Sequence, residues 1–326
     1  MTIAVIGASG FVGSRLNERF RNNNTPCKLF DKNIKFSEDI DFLDVTDPSS
    51  LKKLSGCSSI INLAAEHRDD VYPISRYDET NVQGAVNVCN AARDNEVNNI
   101  IFTSSVAIYG FAPANTDESG LPEYFNDYGR TKYLAEQIYK EWQAEDPKNR
   151  TLVIVRPTVI FGEGNRGNVY NLLNQIASGR FAMLGNGKNK KSMAYVENVV
   201  AFLDHSLLFK PGLHIYNYID KPDFDMNTLV SKTRKTLFKK NNVGFKIPAP
   251  IGMLIGYLSD IIAKLSGKKL PISSIRVKKF MSTTQFISSI KETDFVAPVP
   301  LEEGLKRTLR YEFLEDNSDK AIFETE

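Results

Sequence analysis

The chain has 326 residues, of which 42% are hydrophobic, and this is enough for one large α/β domain with a smaller lobe. Its three cysteines and three histidines are widely spaced and show no metal-site pattern, so we expect no metal ion. The odd number of cysteines and the absence of a signal-peptide pattern favour a reducing, cytoplasmic compartment.

The net charge of +2 conceals an uneven distribution of charge. Residues 228–280 contain 12 lysines or arginines and one acidic residue, Asp260, so the rest of the chain is net acidic. Such a stretch indicates an anionic partner, such as phosphate groups or anionic lipid headgroups, or else a solvated basic surface. The basic residues are not interleaved with aromatic ones as in nucleic-acid-binding motifs, so we expect no nucleic-acid partner.

Short apolar runs alternate with helical patterns up to residue 162. Near-continuous apolar strands separated by helices predict a doubly wound parallel sheet of the Rossmann type, with ligands at the carboxyl ends of the strands. The predicted strands are 3–6, 27–30, 60–63, 100–102 and 152–155.

The pattern changes after residue 162 to Gly- and Asn-rich turns, with predicted helices at 169–177 and 196–208. This pattern favours a smaller lobe that completes a substrate site. The sequence thus predicts a dinucleotide-binding domain over 1–162, a substrate-binding lobe over 163–315 and a flexible tail over 316–326.

A glycine-rich turn follows the first predicted strand directly, in the order Gly7-Ala8-Ser9-Gly10-Phe11-Val12-Gly13. A strand that runs into such a turn and then into a helix lets backbone N–H groups meet a pyrophosphate without a Cβ in the way. Glycine also marks ordinary turns, so this motif gains its weight from the second motif described below.

Asp31 ends the second predicted strand, 18 residues after Gly13. A carboxylate there accepts hydrogen bonds from the adenosine ribose 2′-OH and repels a 2′-phosphate, which favours NAD over NADP. Lys32 and Lys35 keep NADP open, because a cation at this edge accommodates the extra phosphate.

The second motif is Tyr128-Gly129-Arg130-Thr131-Lys132, preceded in the chain by Ser105. Tyr128 and Lys132 lie one helical turn apart and share a helix face. A tyrosine with a pKa of about 10 needs a stabilised phenolate to act as a base near neutral pH, and we expect Lys132 and the helix N-terminus to lower that pKa. We expect Ser105 to hydrogen-bond the substrate oxygen that Tyr128 deprotonates.

With these motifs the chain resembles the extended short-chain dehydrogenase/reductase family over nearly its whole length, in particular the sugar epimerases and dehydratases. The resemblance implies Ser105, Tyr128 and Lys132 as the catalytic residues, with Tyr128 and Lys132 also contacting the cofactor. It implies a structural or cofactor role for Asn81, and it places Asn62 where many relatives have histidine. The other implied cofactor contacts are Gly7, Ser9, Gly10, Phe11, Val12, Gly13, Asp31, Asp44, Val45, Leu63, Ala64 and Ala65.

Several segments resemble one bacterial subgroup of this family, which converts N-acetylglucosaminyl-diphospho-undecaprenol into its N-acetylgalactosaminyl epimer. They are residues 64–70, which end in Asp69 and Asp70, and residues 156–162, 164–171, 191–196 and 275–280. The resemblance implies a polyprenyl-diphosphate-linked sugar as the substrate.

Four residues are candidates for contacting that substrate. Arg166 and Lys191 lie in Gly/Asn-rich loops and are expected to hold the diphosphate, and Lys191 aligns with an arginine that does so in nucleotide-sugar relatives. The alternative for Lys191 is an exposed loop lysine. His67 either shapes the sugar pocket or lies on the surface, and Asn168 is expected on the substrate side.

The basic segment 246–280 contains an amphipathic helix whose apolar face runs from Ile251 to Leu265, with Asp260 and Lys264 opposite. Those 15 residues would span roughly 22 Å, less than a ~30 Å hydrocarbon core, so we expect the helix to lie on a membrane and not cross it. The flanking cations Lys268, Lys269, Arg276, Lys278 and Lys279 favour an anionic surface. The alternative is a lobe helix packed on the core.

The sequence therefore predicts a sugar 4-epimerase that uses bound NAD and lies peripherally on the cytoplasmic face of the cell membrane. We expect a homodimer, since this fold often dimerises through two helices per subunit. Three alternatives stay open: a UDP-N-acetylglucosamine 4-epimerase, an NADPH-dependent 4-keto-sugar reductase, and a non-catalytic dinucleotide-sensing scaffold.

Overall fold

The structure, a computed structural model, describes residues 2–34, 39–68, 71–267 and 273–324. Five residues that the sequence analysis names lie outside these ranges, and they are Lys35, Asp69, Asp70, Lys268 and Lys269.

A seven-stranded parallel sheet forms the centre of the fold, which confirms the predicted doubly wound architecture. The strand order reverses between the first and fourth strands, and this is where a crevice opens at the carboxyl ends of the strands. In spatial order the strands are β10 (Gly212–Tyr218), β6 (Thr151–Pro157), β5 (Asn99–Thr103), β4 (Ser59–Asn62), β1 (Ile3–Ile6), β2 (Cys27–Asp31) and β3 (Ile40–Phe42).

Helices cover both faces of this sheet because its inner strands are apolar on both sides. On one face, α3 (Gly84–Asp94) and α4 (Asp127–Ala144) bury side chains such as Val88 and Trp142. On the other face, α1 (Phe11–Asn22) and α6 (Val196–His205) bury Phe20 and Phe202. Shorter helical segments are α2 (Ser75–Tyr77), a π-helical turn (Asp78–Gln83), and 3₁₀ turns at Ser50–Leu54, Val106–Tyr109, Ser206–Leu208 and Ser289–Glu292.

The chain crosses between the sheet and the smaller lobe more than once, so residues 163–315 form the lobe only in part. Both α6 and β10 follow that residue, yet α6 packs on α1 and β10 pairs with β6. The reason the sequence pattern missed β10 is that it is an edge strand, with partly exposed residues where an inner strand is buried.

The lobe is built around a three-stranded sheet of β7 (Val159–Phe161), β9 (Lys190–Tyr195) and β11 (Asp220–Asp225). Three helices pack with it around buried residues such as Leu173, Leu229 and Leu305. They are α5 (Asn168–Ala177), α7 (Met226–Phe238) and α10 (Leu301–Phe313), and β8 (Met183–Leu184) pairs with β12 (Lys246–Ile247) beside them.

The predicted amphipathic helix is α8 (Ala249–Ser266), and it contacts the protein through its small residues. Gly252 and Gly256 are its buried positions, and a Cβ on Gly256 would come within 2.8 Å of the backbone of Ser274 in α9 (Ser274–Met281). The large apolar side chains point outward, so the alternative of a helix with its apolar face in the core is wrong. Within the described residues α8 is also the one helix long and apolar enough to cross a membrane, judged by length and composition only.

Candidate active site

The glycine-rich turn between β1 and α1 forms one end of a cavity of about 890 Å³. Gly7 has φ +86°, and a Cβ there would lie 2.9 Å from the amide nitrogen of Ala64. A Cβ on Gly13 would lie 2.1 Å from the carbonyl oxygen of Gly7. Both positions therefore require glycine, because the strand–turn–helix connection closes this tightly.

The N-terminus of α1 is open toward this cavity. Gly10 caps the helix without a side-chain hydrogen bond, so the first amides of α1 remain available to an anionic ligand. All of the predicted cofactor contacts in this turn line the cavity, namely Gly7, Ser9, Gly10, Phe11, Val12 and Gly13.

Asp31 lies at the end of β2 on the same cavity wall. Its two carboxylate oxygens accept hydrogen bonds from the backbone amides of Ser9 (3.0 Å) and Asn33 (2.8 Å). The carboxylate is thereby fixed at the edge where the sequence analysis expects the ribose hydroxyls. The neighbouring Lys32 ammonium lies 3.2 Å from the Glu66 carboxylate, so this cation already faces an acidic partner.

The remaining predicted cofactor contacts divide into two groups. Asp44, Val45, Leu63, Ala64 and Ala65 line the cavity. Asn81 does not: its side chain hydrogen-bonds both backbone groups of Glu66 and the hydroxyl of Thr131, at 2.9 Å each. Of the two roles implied for Asn81, these contacts favour the structural one.

Ser105 and Tyr128 meet at the carboxyl end of β5, where the Ser105 side chain lies close enough to the Tyr128 hydroxyl to favour its ionised form. Asn126 caps α4 by accepting a hydrogen bond from the Gly129 amide at 2.9 Å. A Cβ on Gly129 would lie 2.5 Å from the carbonyl oxygen of Ala107, so glycine lets α4 approach the turn that carries Ser105. The predicted pair of hydroxyl groups is therefore assembled on the cavity wall.

Lys132 is buried against the sheet, where its ammonium donates a 2.7 Å hydrogen bond to the carbonyl oxygen of Thr103. The ammonium also lies 4.7 Å from the centre of the Phe102 ring. Burial lowers the pKa of Lys132 to about 7, with the Glu136 carboxylate acting in the opposite direction.

The pKa of Tyr128 is the main difference from the expectation. Burial raises this pKa to about 12, and the hydrogen bond with Ser105 only partly opposes the shift. The sequence analysis expects Lys132 to lower it, but the Lys132 ammonium donates to the Thr103 carbonyl and its own burial disfavours its charge. Further positive charge is therefore needed to form the phenolate at neutral pH.

A buried ion pair behind these residues was missed by the sequence analysis. Glu136 is fully buried one helical turn after Lys132, and the Arg156 guanidinium binds both of its carboxylate oxygens at 2.8 and 2.6 Å. Glu136 also accepts from the Ser104 hydroxyl at 2.6 Å, and Arg156 donates to the Tyr109 hydroxyl at 2.6 Å. The sequence did offer one signal for a buried ion pair, because Glu136 follows Lys132 by four residues on an otherwise buried face of α4.

The candidate substrate contacts are not brought together by the structure. His67 and Asn168 line the cavity. Arg166 does not line it, because its guanidinium forms an ion pair with the buried Glu312 and lies 4.1 Å from the Tyr170 ring centre. The expectation that Arg166 holds the diphosphate therefore needs correction.

Lys191 also lies outside the cavity lining, next to Ser192, which is part of it. Its ammonium donates to the carbonyl oxygens of Lys279 (3.0 Å) and Ser282 (2.7 Å) at the end of α9. Burial lowers the pKa of Lys191 to about 8. Lys191 thus fixes α9 to β9 in this structure and is not an exposed loop lysine.

The described end of the chain forms part of the cavity wall through Ile322, Phe323 and Glu324, which differs from the expectation of a flexible tail over 316–326. The Phe323 amide donates to the carbonyl of Gly164 at 2.9 Å, and the Phe323 carbonyl accepts from the Arg166 amide at 2.8 Å. The Phe323 ring lies 5.6 Å from the Phe11 ring of the glycine-rich turn. These backbone hydrogen bonds and the ring contact hold the tail beside the expected pyrophosphate site.

Comparison of the sequence with known proteins gives the class to which this chain belongs. Residues 3–217 match the NAD dependent epimerase/dehydratase family, and the chain belongs to that family. The chain is 48% identical, over 99% of both sequences, to the N-acetyl-alpha-D-glucosaminyl-diphospho-ditrans,octacis-undecaprenol 4-epimerase of Escherichia coli O157:H7. It is 29% identical to the UDP-glucose 4-epimerase of Vibrio cholerae, over 76% of this chain and 72% of the relative.

Solved structures show the same fold. The UDP-N-acetylglucosamine 4-epimerase from Bacillus cereus matches with a TM-score of 0.75 at 17% identity, covering 97% of this chain and 98% of that one. The UDP-glucose 4-epimerase from Thermotoga maritima matches with a TM-score of 0.73 at 20% identity, covering 95% and 98%. At these identities the likeness concerns the fold alone.

NAD, the cofactor of the family, fits the residues present. Three features would hold NAD. They are the glycine cradle that a Cβ at Gly7 or Gly13 would fill, the open N-terminus of α1 and the fixed Asp31 carboxylate. Within the described ranges, no group of three or more His, Cys, Asp or Glu side chains could hold a metal ion.

Replacing Lys132 with methionine should stabilise the fold while reducing activity. The pKa of Lys132 is lower in the folded chain than in the unfolded one, so its burial costs most below pH 7, and the cost disappears as the pH approaches about 10.5. We expect Lys132→Met to be about 1–3 kcal/mol more stable at pH 6, with the difference shrinking toward pH 10. Thermal unfolding at both pH values measures this, with exposed Lys148→Met as the control, and an unchanged midpoint at pH 6 would contradict it.

Replacing Phe323 with alanine should weaken retention of NAD. The loss of about 1 kcal/mol of packing against Phe11 corresponds to roughly fivefold faster NAD release, and the fold should remain intact. Stopped-flow fluorescence of NAD displacement measures the rate. Leu314→Ala is the control because Leu314 is exposed and does not line the cavity. Equal release rates in the two variants would show that the tail has no part in retention.

Proposed function

We propose that the protein is a 4-epimerase that interconverts N-acetylglucosaminyl- and N-acetylgalactosaminyl-diphospho-undecaprenol. The observation that carries the reaction type is that Ser105 and Tyr128 lie together on the wall of the cavity that also contains the glycine cradle. The relative that is 48% identical over 99% of both chains supports the substrate class.

The two hydroxyl groups define the proton chemistry of this proposal. Tyr128 accepts the proton of the sugar C4 hydroxyl, and Ser105 donates a hydrogen bond to the same oxygen as it becomes a carbonyl. Bound NAD supplies the hydride acceptor and donor at C4, together with positive charge near Tyr128. The 4-keto sugar then presents its other face, and Tyr128 returns the proton.

Lys132 supports Tyr128 through its position more than through a permanent charge. Burial lowers the pKa of Lys132 to about 7, so its charged form is disfavoured in this site. The Thr103 carbonyl and the nearby Glu136 carboxylate hold it on the catalytic face of α4. Glu136 and Arg156 are positioning residues, because they keep α4 against the ends of β5 and β6.

A lipid-linked substrate would lie at a membrane, and the surface around α8 fits such a partner. Leu258 and Ile262 are 51% and 54% exposed on the side of α8 that faces away from the protein. The adjacent α9 carries Arg276, Lys278 and Lys279 and no acidic residue. An exposed apolar helix face beside cations suits peripheral binding to an anionic bilayer, which we propose to be the cytoplasmic leaflet.

The alternatives are separated by the cofactor and the substrate. Asp31 and the ion pair of Lys32 with Glu66 favour NAD, which argues against the NADPH-dependent reductase. The assembled Ser105–Tyr128 pair argues against a non-catalytic scaffold. A UDP-N-acetylglucosamine 4-epimerase would use the same catalytic residues, so it must be separated by experiment. The homodimer stays a prediction.

Tyr128→Phe should lose about 10²-fold or more in turnover because it removes the proton acceptor. The variant should still bind NAD, since the glycine cradle is untouched. Turnover is measured on lipid-diphosphate-linked and UDP-linked N-acetylglucosamine side by side, with exposed Tyr72→Phe as the matched control. Near-normal turnover in Tyr128→Phe would remove Tyr128 from the mechanism, and turnover of the UDP sugar alone would reject the lipid-linked substrate.

Replacing Leu258 and Ile262 with aspartate should release the protein from vesicles that contain anionic lipid. The variant removes apolar side chains from the membrane interface and adds negative charge, and both changes weaken binding to the vesicles. Added salt should also weaken this binding. Vesicle co-sedimentation measures the bound fraction, and NAD binding checks the fold. Leu208→Asp and Leu213→Asp, exposed positions away from α8, are the controls. Unchanged co-sedimentation of the α8 variant would contradict the docking surface.

A further inference from the structure

An exposed aromatic pair lies on the loop between the Ser105 turn and α4. Phe111 and Phe125 are 60% and 50% exposed, yet their rings pack together with centres 5.0 Å apart. The loop is closed at its base, where the Glu123 amide donates to the Ile108 carbonyl at 2.9 Å. Gly110 is required at this closure, because a Cβ would lie 1.9 Å from the Glu123 carbonyl oxygen. The pair is therefore held on a fixed loop.

A lysine from the opposite side covers this pair. The Lys279 ammonium of α9 lies 4.5 Å from the Phe125 ring centre and 6.0 Å from that of Phe111. Among the described residues, no carboxylate lies within 4 Å of this ammonium. The result is a cation without an acidic partner beside two exposed aromatic faces.

This combination is continuous with the active-site cavity. Gly110, directly before Phe111, lines the cavity, and Tyr128 follows Phe125 by three positions. From the other side, Lys191 ties the end of α9 to β9 through the Lys279 and Ser282 carbonyls. The Phe111–Phe125–Lys279 cluster does not line the cavity itself, but it directly follows the lining residue Gly110 and joins this loop to α9.

We propose that Phe111, Phe125 and Lys279 form the subsite for the diphosphate and the first isoprene units of the substrate. This proposal rests on the proposed function and adds the position of the lipid. The ammonium complements the diphosphate, whereas the aromatic faces bury the adjoining isoprenoid carbons. From this cluster the remaining chain runs toward the exposed apolar face of α8.

The proposal predicts a defect that is independent of membranes. The test uses N-acetylglucosamine linked through a diphosphate to farnesol, a short water-soluble analogue, in solution without vesicles. Lys279→Gln and the double variant Phe111→Ser/Phe125→Ser should each raise KM about tenfold with little change in kcat, since the reacting groups are untouched. A second analogue carries only a methyl group on its diphosphate. For this analogue the double aromatic variant should raise KM only slightly, whereas Lys279→Gln should still raise KM strongly.

Two controls separate this subsite from its neighbours. Lys278→Gln changes an exposed lysine of α9 without a ring contact, and it should leave KM unchanged. Leu208→Asp changes an exposed apolar residue away from α8 and α9, and it should leave KM for the soluble farnesyl substrate unchanged as well. NAD binding by each variant shows that the fold is retained.

The outcomes distinguish the subsite from the proposed function. If the unmodified enzyme turns over the farnesyl substrate and the variants have normal KM, the subsite is wrong and the function stands. If KM for UDP-N-acetylglucosamine rises more than KM for the farnesyl substrate, the cluster binds a nucleotide, and this overturns the proposal. If the unmodified enzyme turns over only the UDP sugar, the proposed function itself fails.

Discussion

The buried ion pair of Glu136 and Arg156 is the contact on which the geometry of the active site depends. Its carboxylate is fully buried on α4, and the guanidinium comes from the end of β6. Removing one partner of such a pair typically costs about 3–5 kcal/mol, because the other charge stays buried without compensation. The pair thereby fixes how α4, and Tyr128 with it, lies against the sheet.

The same pair connects α4 to β10 and to the segment around Ser289. Arg156 donates to the Tyr109 hydroxyl, which in turn donates to Asn217 at 2.9 Å, at the end of β10. The Asn217 amide and the Ser289 amide both donate to Glu118, at 2.8 and 3.0 Å. These hydrogen bonds hold the loop that carries Glu118 against β10 and the Ser289 turn, on the same side chains that fix α4.

Local pattern was sufficient for the parts of this protein that are local in sequence. The apolar run at Ile3–Ile6, the glycine-rich turn and the four-residue spacing from Tyr128 to Lys132 each specify a backbone geometry on their own. Local pattern could not predict the ion-pair partner of Glu136, the orientation of Arg166 or the position of Phe323. Each depends on a partner at least 20 residues away in the sequence. The identity of a residue does not indicate which distant carboxylate or backbone group it will contact.

The pKa shifts of Tyr128 and Lys132, two of the predicted catalytic residues, indicate that these side chains alone do not form a base at neutral pH. Burial raises the pKa of Tyr128 and lowers that of Lys132, so each shift favours the neutral form of its group. A site arranged in this way keeps Tyr128 protonated until a further positive charge is brought beside it. The glycine cradle lines the same cavity, and the nicotinamide ring of oxidised NAD would bring one positive charge there, although the whole dinucleotide is an anion. Cofactor binding would then favour formation of the base, which suits a reaction that must return its hydride to the same sugar.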